Sequence, residues 1–465
     1  MAAQQSGALK RNLGLWAIVG LGLGYMTPTV VYDTFGLVSE RTHGAVPTAY
    51  IVALVVMAFT AISYGKMVTA IPSAGSSYTY AREAIHPNVG FIVGWIALLD
   101  YLLLPLVNIL ILRLYMEVVF PDVDGWFFVI LFTIIVTGSV AISMKGSAGF
   151  NSILLIFSLV VMVTFTVMVS IQVGDGRGVG SLWSGQPFVG TDFDFGNMLF
   201  GATMVCFSFI GFDAVTMYAE EAKDRKLMPK AILLTVLLGG AIFLVGSYFA
   251  QLRWPDNAEF ADNVDDPLPV LGQIAGMDAF GGDGSVFMWI FTAAGFAATM
   301  ASGISSHASV ARMLMVMGRN GVLPRKVFGY VHPKTHTPLY SIIIVGVVSL
   351  SARFFDLDTI ASVINFGALI AFTFVNISVI AFYAIKHKRR HTGSDVFKYI
   401  IMPGLGTLLT LTLWVNLDET SLTVGGIWTA LGLIYLLVIT KGFRSQPQSF
   451  DEAEPVTDFN KVAAE

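Results

Sequence analysis

Twelve apolar runs, most of them close to a bilayer's thickness when helical, follow one another along this chain with little polar sequence between them. About 20 helical residues cover the roughly 30 Å of hydrocarbon in a membrane. Inside hydrocarbon every backbone N–H and C=O needs a partner within the protein, which leaves helices or closed barrels, and runs this long and this uniformly apolar read as helices. The runs are expected near 13–38, 46–68, 89–119, 126–144, 150–173 and 196–219, then near 229–251, 285–316, 337–354, 358–384, 398–416 and 424–441. Composition agrees, with 55% hydrophobic and 12% charged residues over 465 positions, against about 25% charged in soluble domains. The expected fold class is an all-α membrane protein with 12 transmembrane helices. The first run has the length of a span and no small-residue cleavage pattern, so no cleavable signal peptide is expected.

Charge gives the orientation. Lys10, Arg11, Lys66, Arg82 and Lys145 fall on one side, with the basic residues of the 220–230 and 317–336 loops, the "KHKRRH" run at 386–391 and the C-terminal tail. That side holds 22 of the 27 Lys and Arg residues. Positive loops stay cytoplasmic, so both termini are expected inside a cytoplasmic (inner) membrane. The opposite loops hold Arg41, Arg113, Arg177, Arg253 and Arg353, and they are acidic at Asp256, Glu259, Asp262, Asp265 and Asp266. Two explanations stand: a negative vestibule that concentrates cations, or loops from which lysine and arginine are simply absent. Residues 1–12 read as a short cytoplasmic segment and 445–465 as a disordered tail. The single cysteine, Cys206, allows no internal disulfide and suits a small core position.

Two of the runs carry helix breakers in their interior. The first reads "GLGLGYMTPTVVYDTFG", with Gly20, Gly22 and Gly24 ahead of Pro28; the sixth places Gly211 between aromatic neighbours in "CFSFIGFDAV". Polar backbone at membrane depth is tolerated where it lines a cavity. Breaks at corresponding positions of two halves point to the binding site of an inverted-repeat carrier; glycines that allow close helix packing are the alternative. Three carboxylates, Asp33, Asp100 and Asp213, lie within apolar runs, with no lysine or arginine at comparable depth. Each costs about 2.5–3.5 kcal/mol on insertion scales, and such residues mark pathways or proton relays. Unneutralised acids invite a cation from outside; a protonated, structural role is the other reading, and Asp33 lies close enough to Glu40 and Arg41 to be solvated. Tyr25, Tyr32, Trp95, Tyr101, Phe207, Phe209 and Phe212 surround these positions, and aromatic faces attract ammonium groups. Asp100, Leu104 and Asn108 share one helical stripe. In the eighth run Ser305 and Ser306 either permit close packing or offer hydroxyls to a sodium ion. The sequence has no phosphate-cradling G-x-x-x-x-G-K-[ST] loop, no G-x-S-x-G and no histidine pair at metal-ligand spacing. No enzyme chemistry, cofactor or metal is expected, and the pattern fits a secondary carrier.

Several blocks carry a resemblance. "PSAGSSYTYAREAIHPNVGFIVGW" at 72–95, "FSFIGFDAV" at 207–215 and "MGRNGVLPRKVFGYVHPKTHTP" at 317–338 resemble the amino acid–polyamine–organocation (APC) superfamily of transporters. "YDTFG" at 32–36, "LLDYLLLP" at 98–105, "SSHASVARMLMVMGR" at 305–319, "INFGALIAFTFVN" at 364–376 and "WVNLDETSLT" at 414–423 are similar to the bacterial putrescine importers within it. The resemblance implies a LeuT-like fold of two inverted five-helix repeats, here 13–173 and 196–384, with a peripheral pair at 398–441 and alternating access. It implies a substrate site at Tyr25, Met26, Thr27 and Phe207 to Gly211, with Asp213 as the acid after the second break and Asp100 as the third-helix carboxylate. One departure is evident: residues 150–173 hold no lysine, whereas some proton-coupled relatives carry one in the fifth helix. Asp213, Ser305 and Ser306 are then the candidates for coupling to a proton or, less favoured, a sodium ion. The expected function is import of putrescine, a small aliphatic diamine, driven by membrane potential, a proton gradient or both. The rivals are an amino-acid carrier of the same fold and a transporter-like ligand sensor.

Overall fold

The computed structural model describes residues 13–71, 76–142, 148–218, 222–265, 267–335 and 337–447. The terminal segments expected at 1–12 and, beyond residue 447, in the tail lie outside these, as do Lys145, Glu220, Glu221 and Asp266. The described residues are helical, with a single isolated bridge between Leu13 and Ala222 in place of any strand. Among the described residues eleven helices are long and apolar enough to cross a membrane, and a shorter one, Leu339–Phe354, lies where the ninth run is expected.

Span one comprises Leu15–Tyr25, Val30–Asp33 and Phe35–Thr42. Spans two to five are Val46–Ala70, Pro87–Val119, Gly125–Ile142 and Ala148–Gly174. Span six is Phe195–Phe209 followed by the 3₁₀ turn Asp213–Tyr218, and span seven is Met228–Arg253. Span eight is Ser285–Arg319, span nine Leu339–Phe354, span ten Leu357–Lys386, span eleven Gly393–Val415 and span twelve Glu419–Ile439. Hydrophobic runs dictate these helices, and capping side chains set several starts: Asp194 accepts from the Asn197 N–H, Asp356 from Thr359 and Asp418 from Ser421.

Spans one, three, six, eight and ten are packed together, span three lying along eight and ten, and span two lies along seven. Spans eleven and twelve are peripheral and leave Leu408, Val415, Ile427, Leu431, Ile434 and Val438 exposed. Apolar rows of this kind are what a lipid-facing helix presents, because hydrocarbon tails are as apolar as leucine.

Several basic residues expected in loops lie within helices, and two of them are buried. Arg113 and Arg253 lie within spans three and seven, near the ends that face the acidic loops, and both are buried. Arg253 donates to both oxygens of Glu259 (2.8 and 3.0 Å), to Asp278 (2.9 Å) and to Gln172 (3.2 Å), while Arg177 reaches Asp278 at 2.9 Å. Burial pushes the Glu259 carboxyl up, but the hydrogen bonds and charge of Arg253 outweigh it and hold it below the usual glutamate range. Glu259 is thus neutralised within the protein. Glu40, Asp256, Asp262 and Asp265 instead line a separate open groove on that acidic face. Burial, with Asp356 and Glu40 nearby, raises the Asp265 carboxyl.

Candidate substrate cavity between the broken spans

Each break has a local cause. Pro28 has no N–H to offer the carbonyl of Gly24 four residues back, and Thr27 takes a left-handed φ of 50°. The helix closes with Met26 N–H on the Gly22 carbonyl at 3.0 Å and restarts only at Val30. In span six the helix stops at Phe209, Ile210 is extended (φ −62°, ψ 132°), and Gly211 has φ 113°. That φ suits glycine alone. Contact demands glycine too, since a Cβ there would sit 2.5 Å from Tyr25 Cδ1. The two breaks therefore meet, the Gly211 backbone lying against the Tyr25 ring.

Between them lies a narrow cavity. Its walls are Tyr25, Met26, Thr27 and Val30 of span one, Leu104, Val107, Asn108 and Ile111 of span three, Phe207 and Ile210 of span six, and Ser302 of span eight. Every one of these residues is buried. The lining is largely apolar with a few polar groups, the usual make-up of a small-molecule site. Ser302 Oγ donates to the Tyr25 carbonyl at 3.3 Å, tying span eight to the first break. Asn108 donates to the Leu104 carbonyl of its own helix at 2.8 Å.

Acids stand beyond the cavity at both ends. Toward the face bearing the basic loops, Tyr101 donates to Asp213 Oδ2 at 3.1 Å, and Asp213 Oδ1 accepts the Gly211 N–H at 3.3 Å. Asp100, beside Tyr101, is one turn before Leu104; its Oδ1 is buried without a hydrogen-bond partner. Its Cβ abuts Gly367 of span ten, where an added methyl would lie 3.1 Å away. Toward the acidic face, Tyr115 donates to Asp33 Oδ1 at 2.7 Å. None of the three carboxylates forms an ion pair with a described lysine, arginine or histidine.

Of the expected site residues, Tyr25, Met26, Thr27 and Phe207 line the cavity, and Gly211, Asp213, Tyr101 and Asp100 gather at one end. Asp33 stands apart at the other end. Phe209 packs away from the cavity, against Tyr50 and Phe243. Trp95 faces span twelve: its ring stacks on Trp428 at 5.0 Å, and each indole N–H donates to the other's carbonyl (3.0 and 2.8 Å). Five residues at 100° each put Trp95 about 140° around the helix from Asp100. In span eight, Ser306 bonds its own helix at the Gly303 carbonyl (3.1 Å), and Ser302, one turn earlier, is the hydroxyl that meets the broken first span. Val30, Val107, Ile111, Ile210 and Ser302 escaped the sequence reading, because an apolar or small residue on an apolar helix carries no mark of the direction it faces.

The amino acid permease family model matches residues 18–417 of this chain. This chain belongs to that family. The low-affinity putrescine importer PlaP of Escherichia coli strain K12 is 45% identical to it over 445 residues, covering 96% of this chain and 97% of PlaP. The branched-chain amino acid permease BcaP of Bacillus subtilis is 27% identical over 93% of this chain and 94% of its own length. The vacuolar cationic amino acid transporter 4 of Arabidopsis thaliana is 28% identical over 80% of this chain and 63% of its own. This amino acid permease family member is a multi-pass membrane transporter and not an enzyme, and the two broken spans enclosing a buried cavity are the part of it that suits cargo.

Proposed function

We propose that the protein imports putrescine, a small aliphatic diamine, across the cytoplasmic membrane by alternating access, with both termini and the basic loops on the cytoplasmic side. The observation that carries this reading is the acid pair at one end of the cavity: Asp213 and Asp100 are buried, lack any described basic partner, and sit directly beyond an apolar chamber. An aliphatic dication supplies what each part lacks, ammonium groups for the carboxylates and methylenes for Tyr25, Phe207 and Leu104. The 45% identity to PlaP over nearly the whole chain supports the same cargo. Spans one to five and six to ten then act as two inverted repeats, 13–173 and 196–384, and spans eleven and twelve stay outside them. Moving two charges inward at 100 mV yields about 4.6 kcal/mol, at about 2.3 per charge, equivalent to about a thousandfold gradient. Membrane potential is therefore a sufficient driving force.

Uptake of labelled putrescine into proteoliposomes of the purified chain, with and without a proton gradient and in competition with diamines and amino acids, tests this. Competition by diamines and not by zwitterionic amino acids is the expected result. Uptake displaced by amino acids and indifferent to diamines refutes it.

A further inference from the structure

On the acidic-loop side of the cavity a hydrogen bond joins spans one and three. Val30 and Ile111 are the last wall residues there, and Asp33 and Tyr115 follow them by three and four positions in the same helices. Both partners of the 2.7 Å bond therefore stand one turn beyond the chamber, one on each side of the seam. Both side chains are fully buried, and Asp33 Oδ2 has no hydrogen-bond partner.

Among the described residues, the surroundings of Asp33 hold no compensating charge. Span three contributes Tyr115, and span two contributes Tyr50, whose hydroxyl is engaged with Ser208 at 3.1 Å. Span eight sets Gly295 against the Tyr115 hydroxyl and Phe291 against Tyr32; span five sets Phe165 against Tyr32, and span seven Gly246. The titratable groups facing Asp33 are thus tyrosines. Arg113, two residues before Tyr115 and about 200° around the helix from it, is beside Glu117 at 3.8 Å.

Distance separates this acid from the other two. Tyr101 and Tyr115, which hold Asp213 and Asp33, are 14 residues apart on one helix, about 21 Å at 1.5 Å per residue. The five bonds between the nitrogens of putrescine span roughly 6 Å, so a diamine held at Asp213 does not reach Asp33. Asp33 is also absent from the cavity wall. An organic ammonium needs room that this packing does not offer, and a proton needs none.

We propose that Asp33 is a proton-binding site and that its protonation closes the chamber on the acidic-loop side. An enclosed carboxylate without a cation is tolerated as the neutral acid, whereas the anion is stable once water reaches it. Closure takes one proton from water on that side onto Oδ2. Opening breaks the bond to Tyr115 and returns the proton to water; no other bond changes.

The transport arm of the test rests on the import reading, and the second arm does not. In proteoliposomes with the membrane potential clamped, putrescine uptake is followed as pH on the acidic-loop side is varied between about 5 and 9. Uptake by the wild-type chain should fall toward alkaline pH, by up to about tenfold per unit for one proton. Asp33→Asn, close in shape and permanently neutral, should transport with that slope removed. Tyr115→Phe keeps the carboxylate but removes a hydrogen bond made only in the closed state, so the slope should remain with its midpoint at more acidic pH. An Asp33→Asn profile parallel to wild type overturns the proposal, and so does an unmoved Tyr115→Phe midpoint, which decides the matter if Asp33→Asn fails to fold. The second arm is thermal unfolding in detergent without substrate. The native state holds the proton, so wild-type stability should fall as pH rises, by a component that Asp33→Asn lacks; identical pH dependence in both chains overturns the proposal. Wild-type protein that shows this component yet moves no putrescine refutes the import reading and leaves the Asp33 site standing.

Discussion

Replacing Asp213 with Asn separates the charge of the acid pair from its architecture. The amide keeps the shape of the carboxylate. Its oxygen still accepts the Gly211 N–H, now 3.3 Å from Oδ1, and its NH₂ takes the place of Oδ2, 3.1 Å from the Tyr101 hydroxyl. That hydroxyl can turn from donor to acceptor, so the fold should lose about 1 kcal/mol or less, no more than about 2–4 °C in melting temperature. The ammonium loses its counter-charge in a site shielded from water, a change that costs about 2–5 kcal/mol, or about thirtyfold to several thousandfold in apparent affinity. The assay is the concentration dependence of initial putrescine uptake in proteoliposomes, alongside a melting curve of the same preparation. A large rise in KM on an almost unchanged melting temperature is the expected pair of results. A KM within about threefold of wild type, worth well under 1 kcal/mol, would refute the assignment of Asp213 as an ammonium acceptor.

Three further outcomes follow from contacts already described. Gly211→Ala should cost about 2–5 kcal/mol from a left-handed residue pressed onto the Tyr25 ring, read as loss of folded protein or of uptake; full activity at wild-type stability would mean the break is not strained. Ser302→Ala should weaken the joint between span eight and the Tyr25 carbonyl by about 1 kcal/mol, visible as a modest change in uptake kinetics without loss of expression. Arg253→Met should destabilise the acidic-face network by about 1.5–3 kcal/mol in thermal unfolding near neutral pH. Because Arg253 holds the Glu259 carboxyl below its ordinary value, the contribution of this pair is present above the usual glutamate range and fades as pH falls through the lowered one. The gap between wild type and Arg253→Met should narrow accordingly in acid.

The spans were legible because transfer into hydrocarbon is a sum over many residues, and a run near twenty residues long leaves little doubt. The two breaks were legible from Pro28 and Gly211, residues whose backbone limits act locally. The chamber wall was not. Ser302 and Ser306 are one helical turn apart and chemically alike, and the rotation of a 35-residue helix against the first span decides which of them meets the Tyr25 carbonyl. Trp95 was grouped with Asp100 on nearness along the chain, whereas 140° of helical rotation delivers it to Trp428. Asp33, Asp100 and Asp213 shared one signature as buried acids. Only the hydrogen bonds to Tyr115 and Tyr101, a long stretch of helix apart, assign them to opposite ends.

The paired indoles have a mechanical consequence. Span twelve takes no part in the cavity, yet two reciprocal hydrogen bonds and a stacked ring pair clamp it to the helix that carries Leu104, Asn108 and both anchoring tyrosines. Its outer face, with Ile427, Leu431 and Ile434, is apolar and exposed, as a lipid-facing surface is. Any tilting of the third helix during turnover must therefore drag a blade through the surrounding lipid, so bilayer thickness and viscosity become part of the resistance the carrier works against.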